Sequence, residues 1–424
     1  MRLLIKNGIV VDPSQSLNGK YDILIEEGKI RDIRTTSLER DCISIDAEGM
    51  YVVPGLIDVH VHLREPGFEH KETIGTGSES AVAGGFTTIV CMPNTKPVID
   101  NPDTMRYIQK RAESVDVNIY MLGSITKNLE GKVLSKFGVL KQLGIVGITD
   151  DGMTISNAKV MHDALEKAKE YNLLTCVHCE DEELVYDNSI HQGEVAKQLN
   201  LSGRPGISED IIVARDLLLA ESLDARIHIQ HVSSANSVKL IRRAKERGVR
   251  VSCEATPHHL ILTDDWVMAQ GVNAKMSPPL RDEKDKKEII KGLIDGTIDV
   301  IATDHAPHTE EEKGTDILTA ANGIVGLETS LGLAMTHLVH AGIIDMKRLV
   351  ELMSLRPSEL LGLDKGTIKV GKNADLTIID PKRKWTVNKD NFKSKGKNTP
   401  FHGMELKGKA VMTIVNGKVV FKET

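Results

Sequence analysis

Residues 51–62 read Tyr51-Val52-Val53-Pro54-Gly55-Leu56-Ile57-Asp58-Val59-His60-Val61-His62, an apolar run that ends in an aspartate and two histidines at alternate positions. A continuous apolar run bounded by polar loop residues is what a strand buried on both faces requires. Runs of the same kind recur at 85–92, 117–122, 145–149, 173–178, 226–231, 249–254 and 299–303. Helical stretches lie between them at 73–83, 102–114, 156–171, 211–222, 237–247 and 282–293. Eight buried strands alternating with helices predict an α/β fold, a (β/α)8 TIM barrel. A doubly wound sheet is the weaker alternative because its nucleotide fingerprint is missing: Gly75-Thr76-Gly77 lacks a third glycine and follows no strand.

Outside the alternating middle, both ends of the chain are β-rich. Residues 3–11 and 21–33 alternate, with Asn7-Gly8 and Glu27-Gly28 as turn signals. Residues 374–379, 385–387 and 411–421 repeat the style, the last broken by the hairpin dipeptide Asn416-Gly417. The predicted organisation is a small β-sandwich domain formed by both termini, residues 1–53 plus 365–424, around a barrel of residues 54–364.

Composition narrows the function. The chain has 424 residues, 40% hydrophobic and 27% charged, enough for a large core. A net charge of −6 and 3% aromatics argue against nucleic acid, and no apolar run reaches the ~18 residues of a membrane span. Five cysteines are an odd, sparse set, unlike a disulfide framework, so a reducing, cytoplasmic setting is expected. Cys176-x-x-Cys179 has no second pair to complete a zinc knuckle, and the lysines of 382–409 read as a solvated face.

Barrel enzymes place their chemistry at the C-terminal ends of the strands. Those ends carry Asp58, His60 and His62, then Asn94, Asp150 and Asp151, His178, His231, and Asp304 with His308 just beyond. His60 and His62, two apart on an extended chain, point to one face. Imidazole nitrogens with carboxylate oxygens suit Zn²⁺ or a similar ion. Four histidines and a carboxylate exceed what one catalytic ion needs, so two ions bridged by Asp150 or Asp151 are expected, with a shared water acidified toward hydroxide. Asp304 is positioned to ligate and to act as general base and acid. Rival motifs are absent: there is no His-Glu-x-x-His and no Gly-x-Ser-x-Gly.

These residues resemble the amidohydrolase superfamily, and within it the dihydroorotases of the longer bacterial type. The resemblance spans nearly the whole chain: 53–67 with Asp58-Val59-His60-Val61-His62-Leu63-Arg64, 91–95 with Asn94, Thr149-Asp150-Asp151-Gly152, Val177-His178-Cys179, Gln230-His231-Val232-Ser233, Thr256-Pro257-His258-His259, Pro278-Pro279-Leu280-Arg281, 302–308 with Asp304 and His308, 323–328, and 366–376. It implies reversible conversion of L-dihydroorotate and N-carbamoyl-L-aspartate in pyrimidine biosynthesis. His60, His62 and Asp304 resemble the ligands of one zinc, His178 and His231 those of the other, and Asp151 the bridge. Arg64 and Asn94 resemble the pair that grips the substrate carboxylate, and His308 another substrate contact. Hydantoinases and allantoinases bridge their metals with a carboxylated lysine at the end of strand four, where residues 144–151 have none.

At two substrate positions the chain departs from the family pattern. Ser277 stands where asparagine is common, and Asn322-Gly323 where Phe-Gly is common. The resemblance also implies a homodimer and, in some relatives, association with aspartate transcarbamoylase. Another cyclic amidase, or a non-catalytic scaffold, are the competing readings; a lost ligand would mark the scaffold, and all six positions are filled. Residues 309–322, charged and then small and apolar, are a candidate lid over the mouth.

Overall fold

The computed structural model describes residues 2–36 and 42–423. The N-terminal strands are β1 (Arg2–Asp12), β2 (Leu17–Glu26), β3 (Lys29–Arg34), β4 (Ile43–Asp46) and β5 (Tyr51–Pro54). Eight barrel strands follow: β6 (Leu56–Val61), β7 (Phe86–Cys91), β8 (Asn118–Gly123), β9 (Gly147–Ile148), β10 (Leu174–Val177), β11 (Ile227–Ile229), β12 (Val251–Ala255) and β13 (Val300–Ile301). They pair in parallel in chain order, and Val61 bridges to His305 beyond β13, bringing the last strand's extension back to the first. Each predicted apolar run overlaps one of these strands, β8 and β12 each extending one residue past its run. The predicted helices are present too, with starts set by side-chain caps: Thr73 and Thr76 form a capping box before Ile74–Ala83, and Asp282 caps Glu283–Asp295.

The decisive run 51–62 is two strands, not one. Its first part, β5, belongs to the terminal sheet, and Gly55 makes the crossing: a Cβ there would lie 2.1 Å from Thr87 Oγ1. Ile57 and Val59 pack with Val300 and Ala302 against Leu360 and Leu361, and a register shift in the pairing with β7 between Asp58 and Val61 falls where His60 enters the cluster.

The C-terminal strands β14 (Leu376–Thr386), β15 (Glu405–Val415) and β16 (Lys418–Lys422) complete the small domain. Its sheet runs β16-β15-β14-β5-β1-β2-β3, with β4 also paired to β1. The two ends of the chain meet where β14 lies antiparallel to β5, Leu376 opposite Pro54 and Ile379 opposite Tyr51. Leu3, Ile5, Ile23, Ile25, Val52, Ile378 and Ile414 form its own core. The Asn416-Gly417 hairpin is present between β15 and β16. The Asn7-Gly8 turn is not. Asn7, at φ 62°, sits at a register shift within β1 and gives its N–H to Asp22, a bulge that lets one strand pair with β4 at residues 3–6 and β5 at 9–10. The separately predicted 385–387 strand is the far end of β14.

Candidate active site

Four histidines and two aspartates from five strand ends meet in a buried cluster at the mouth of the barrel. His60 Nε2 lies 3.3 Å from Asp151 Oδ1 and 3.4 Å from Asp304 Oδ1. His62 Nε2 lies 3.3 Å from Asp151 Oδ2 and 3.1 Å from Asp304 Oδ1. On the other side, His231 Nε2 is 3.6 Å from Asp151 and 2.9 Å from His178 Nδ1. Asp150 does not join them; its carboxylate accepts from the Thr126 N–H and hydroxyl, so of the two adjacent aspartates only Asp151 faces the histidines. His231 (φ 31°), Asp304 (φ 48°) and Arg64 (φ 62°) all hold left-handed backbone, uncommon for non-glycine residues and costly unless the surroundings enforce it.

Ring orientation comes from partners outside the cluster. His60 Nδ1–H donates to Glu254 Oε1 at 2.5 Å and His62 Nδ1–H to Asn94 Oδ1 at 2.9 Å, which turns both Nε2 lone pairs inward. Asp58, beside the two histidines in the sequence, accepts the backbone N–H groups of His60 and Thr303 and binds strand β6 to the end of β13. Glu254 was not among the sequence candidates. Its signal was available, since it closes the 249–254 run.

Burial disfavours charge on every one of these groups, yet the carboxylates of Asp151, Asp304 and Glu254 hold His60 well above its ordinary pKa. In return the histidines hold buried Asp151 and Asp304 far below the carboxylate range and Glu254 at about 2. His178, buried and facing His231, is pushed down to about 4 and is neutral at pH 7. His60 Nε2 and Asp151 Oδ1 are buried without a hydrogen-bond partner. Three overlapping sets, His60–His62–Asp151, His60–His231–Asp304 and Asp151–His178–His231, bring their ligand atoms within 4.8 Å of one another. Ionised carboxylates and imidazole lone pairs with no other partner are what a divalent cation requires, and the residues fit one.

Above the cluster lies a cavity of about 250 Å³ lined by Arg64, Asn94, Ser277, His308 and Asn322 together with the ligand candidates. Arg64 is half-buried; its Nε donates to Pro307 O and its Nη2 meets His308 Nε2 at 3.3 Å. It forms no ion pair among the described residues. Ser277 Oγ accepts from Arg204, itself paired with Glu180. Asn322 Nδ2 donates to Asn188, while its Oδ1 is buried and unpartnered. Gly323, expected as a substrate contact, does not line the cavity. A Cβ there would meet Ala306 O at 2.5 Å, so its part is to let the loop pack closely.

One supporting residue had no sequence signal. Residues 388–404 leave the small domain between β14 and β15 and pack on the mouth, where Asn398 accepts from His308 N and donates to Ala306 O and Gly323 O, each at 2.9 Å.

A parallel eight-stranded barrel with this cluster at its C-terminal mouth defines a metal-dependent hydrolase of the amidohydrolase class. Residues 49–237 match the family model described as Dihydro-orotase-like. The chain is 50% identical over 424 residues to the dihydroorotase of Pelobacter propionicus and 47% identical over 426 residues to that of Syntrophus aciditrophicus, covering 100% of both chains in each case. It belongs to the dihydroorotase family. Among solved structures, the L-hydantoinase (dihydropyrimidinase) of Arthrobacter aurescens superposes with a TM-score of 0.90 at 29% identity, over 99% of this chain and 96% of that one. The D-hydantoinase (dihydropyrimidinase) of a Thermus species gives 0.84 at 28% identity, over 99% and 95%. No helix among the described residues is long and apolar enough to cross a membrane.

Proposed function

We propose that the protein interconverts L-dihydroorotate and N-carbamoyl-L-aspartate, opening and closing a cyclic amide in pyrimidine biosynthesis. The observation that carries this reading is Arg64, a half-buried guanidinium without an ion pair among the described residues, beside Asn94 in a cavity that adjoins the His/Asp cluster. A neutral hydantoin ring offers such a cation nothing to pair with, whereas an orotate-type carboxylate does.

His60, His62 and Asp304 would hold one zinc and His178 and His231 a second, with Asp151 between them. Zinc held there supplies carbonyl polarisation and an acidified water. Glu254 and Asn94 keep the His60 and His62 rings in the tautomer that presents Nε2. Arg64 and the Asn94 amide nitrogen take the substrate carboxylate, and Ser277, His308 and Asn322 face the ring. Asp304 accepts the proton of the attacking water and delivers it to the departing ring nitrogen; ring closure uses the same group in reverse.

The resemblance also supports a homodimer and, as in some relatives, association with aspartate transcarbamoylase, while the sparse cysteines support a cytoplasmic location. The pairing of β5 with β14 supports a domain division into 1–53 plus 365–424 and 54–364. Steady-state hydrolysis of L-dihydroorotate beside allantoin and dihydrouracil, with metal content assayed in parallel, tests the activity. Preference for dihydroorotate, lost on chelation and restored by zinc, is the expected result. Preference for a neutral ring would overturn the substrate and direct attention to Ser277 and Asn322.

A further inference from the structure

Residues 309–323 leave the mouth beyond His308, form one short helix (Glu310–Lys313) capped by Thr309, and return to the cavity rim at Asn322. The loop contains a lysine with no part in the mechanism above. Lys313 is 3% exposed and forms no ion pair among the described residues. Its Nζ donates to three main-chain carbonyls: Ala321 O at 2.8 Å, Gly323 O at 3.2 Å and Lys275 O at 3.2 Å. An ammonium has three N–H donors, so every one is used.

The three acceptors lie on two different walls. Ala321 and Gly323 flank Asn322 on the returning loop, and Lys275 stands two residues before Ser277 on the facing segment. The Gly323 N–H also donates to Lys275 O at 3.1 Å, and Asn398 holds Gly323 O from the third side. Burial and then the neighbouring Lys275 push the Lys313 pKa down to about 7, a solvation penalty on the cation that the three carbonyls do not cancel.

We propose that Lys313 is a positioning residue for substrate binding: by tying Ala321 and Gly323 to Lys275, it sets Asn322 across the cavity from Ser277. These are the two positions where the chain departs from its family's usual residues, so the strap fixes the spacing of the contacts peculiar to this protein. The inference rests on the reading of the cavity as the dihydroorotate site. It goes beyond that reading in assigning recognition to a side chain that does not touch the ring.

The test is Lys313→Met, which keeps length and apolar stem but removes the donors, assayed as the zinc-loaded full chain. A residue that sets the rim acts on ground-state binding, so KM for L-dihydroorotate is expected to rise roughly tenfold, with kcat and metal content within about twofold of wild type. Lys313→Ala gives the second readout: added ethylammonium is expected to lower its raised KM. An unchanged KM in both variants, whatever happens to the melting temperature, overturns the proposal and leaves the reaction intact. A wild-type enzyme inert toward dihydroorotate overturns the reaction reading first. If neither variant folds, hydrogen exchange on the wild type decides. The Ala321 and Gly323 amides are expected to slow when N-carbamoyl-L-aspartate saturates the enzyme, and identical exchange with and without it overturns the proposal.

Discussion

The floor of the cavity and its rim hold their side chains by different means. On the floor, His60, His62, Asp151, His178, His231 and Asp304 stand at or just beyond the ends of parallel strands, and the barrel's hydrogen-bond ladder sets their spacing. Their orientation is then trimmed by single contacts such as His60 to Glu254 and His62 to Asn94. On the rim, Ser277, His308 and Asn322 lie on loops with no ladder. What holds them is a set of long-range bonds from buried polar side chains to main chain, from Lys313, Asn398 and Arg204. Loops positioned in this way by a rigid scaffold are where substrate selectivity can change while the reaction class stays the same. The division predicts that floor substitutions act on turnover and metal, and rim substitutions on KM or stability.

The largest effect is expected at the floor. Asp304→Asn should leave metal bound yet lower kcat by about 10³-fold, the usual contribution of a positioned general acid–base. Retained turnover in a metal-replete variant would remove Asp304 from that role. Next is the orienting contact beneath the floor: Glu254→Gln should weaken metal affinity by roughly 10–100-fold, read by competition with a chelator. Unchanged affinity would mean the barrel alone sets the His60 ring. At the boundary between floor and rim, Arg64→Lys keeps the charge but loses the fork, and KM for dihydroorotate should rise about tenfold with dihydrouracil unaffected. Equal losses on both substrates would show that Arg64 shapes the cavity and does not grip a carboxylate.

The smallest effect concerns what fastens the rim to the barrel. Glu328 Oε1 accepts from the Ser80 hydroxyl and from the N–H groups of Lys393 and Ser394, anchoring the 388–404 excursion. Burial outweighs those bonds and raises its pKa from 4.5 to about 7. A carboxyl group raised in this way contributes stability that is complete below pH 4.5 and lost as the pH climbs through about 7. Glu328→Gln keeps the accepting oxygen and removes the charge. Its Tm should exceed wild type at pH 8 and converge with it below pH 4.5, with kcat unchanged; parallel Tm curves across that range would place the anchoring elsewhere.

The eight strand runs, most of the helix starts and every floor residue could be read from the chain because each is a local pattern. An apolar run followed by a polar end residue is contiguous in sequence, and the barrel sends all such ends to one mouth. Residue type alone left Asp150 and Asp151 open; the resemblance pointed to Asp151, and the structure supplies the reason, since Thr126 captures Asp150. The β1 bulge, the division of 51–62 between two sheets, and the parts of Glu254, Asn398 and Lys313 were decided only by the tertiary fold. Each depends on a partner far away in the chain: Glu254 meets His60 from 194 residues on, and Asn398 meets Ala306 across 92. The type of a buried polar residue says that it must find a hydrogen-bond partner, but only the assembled structure determines which one.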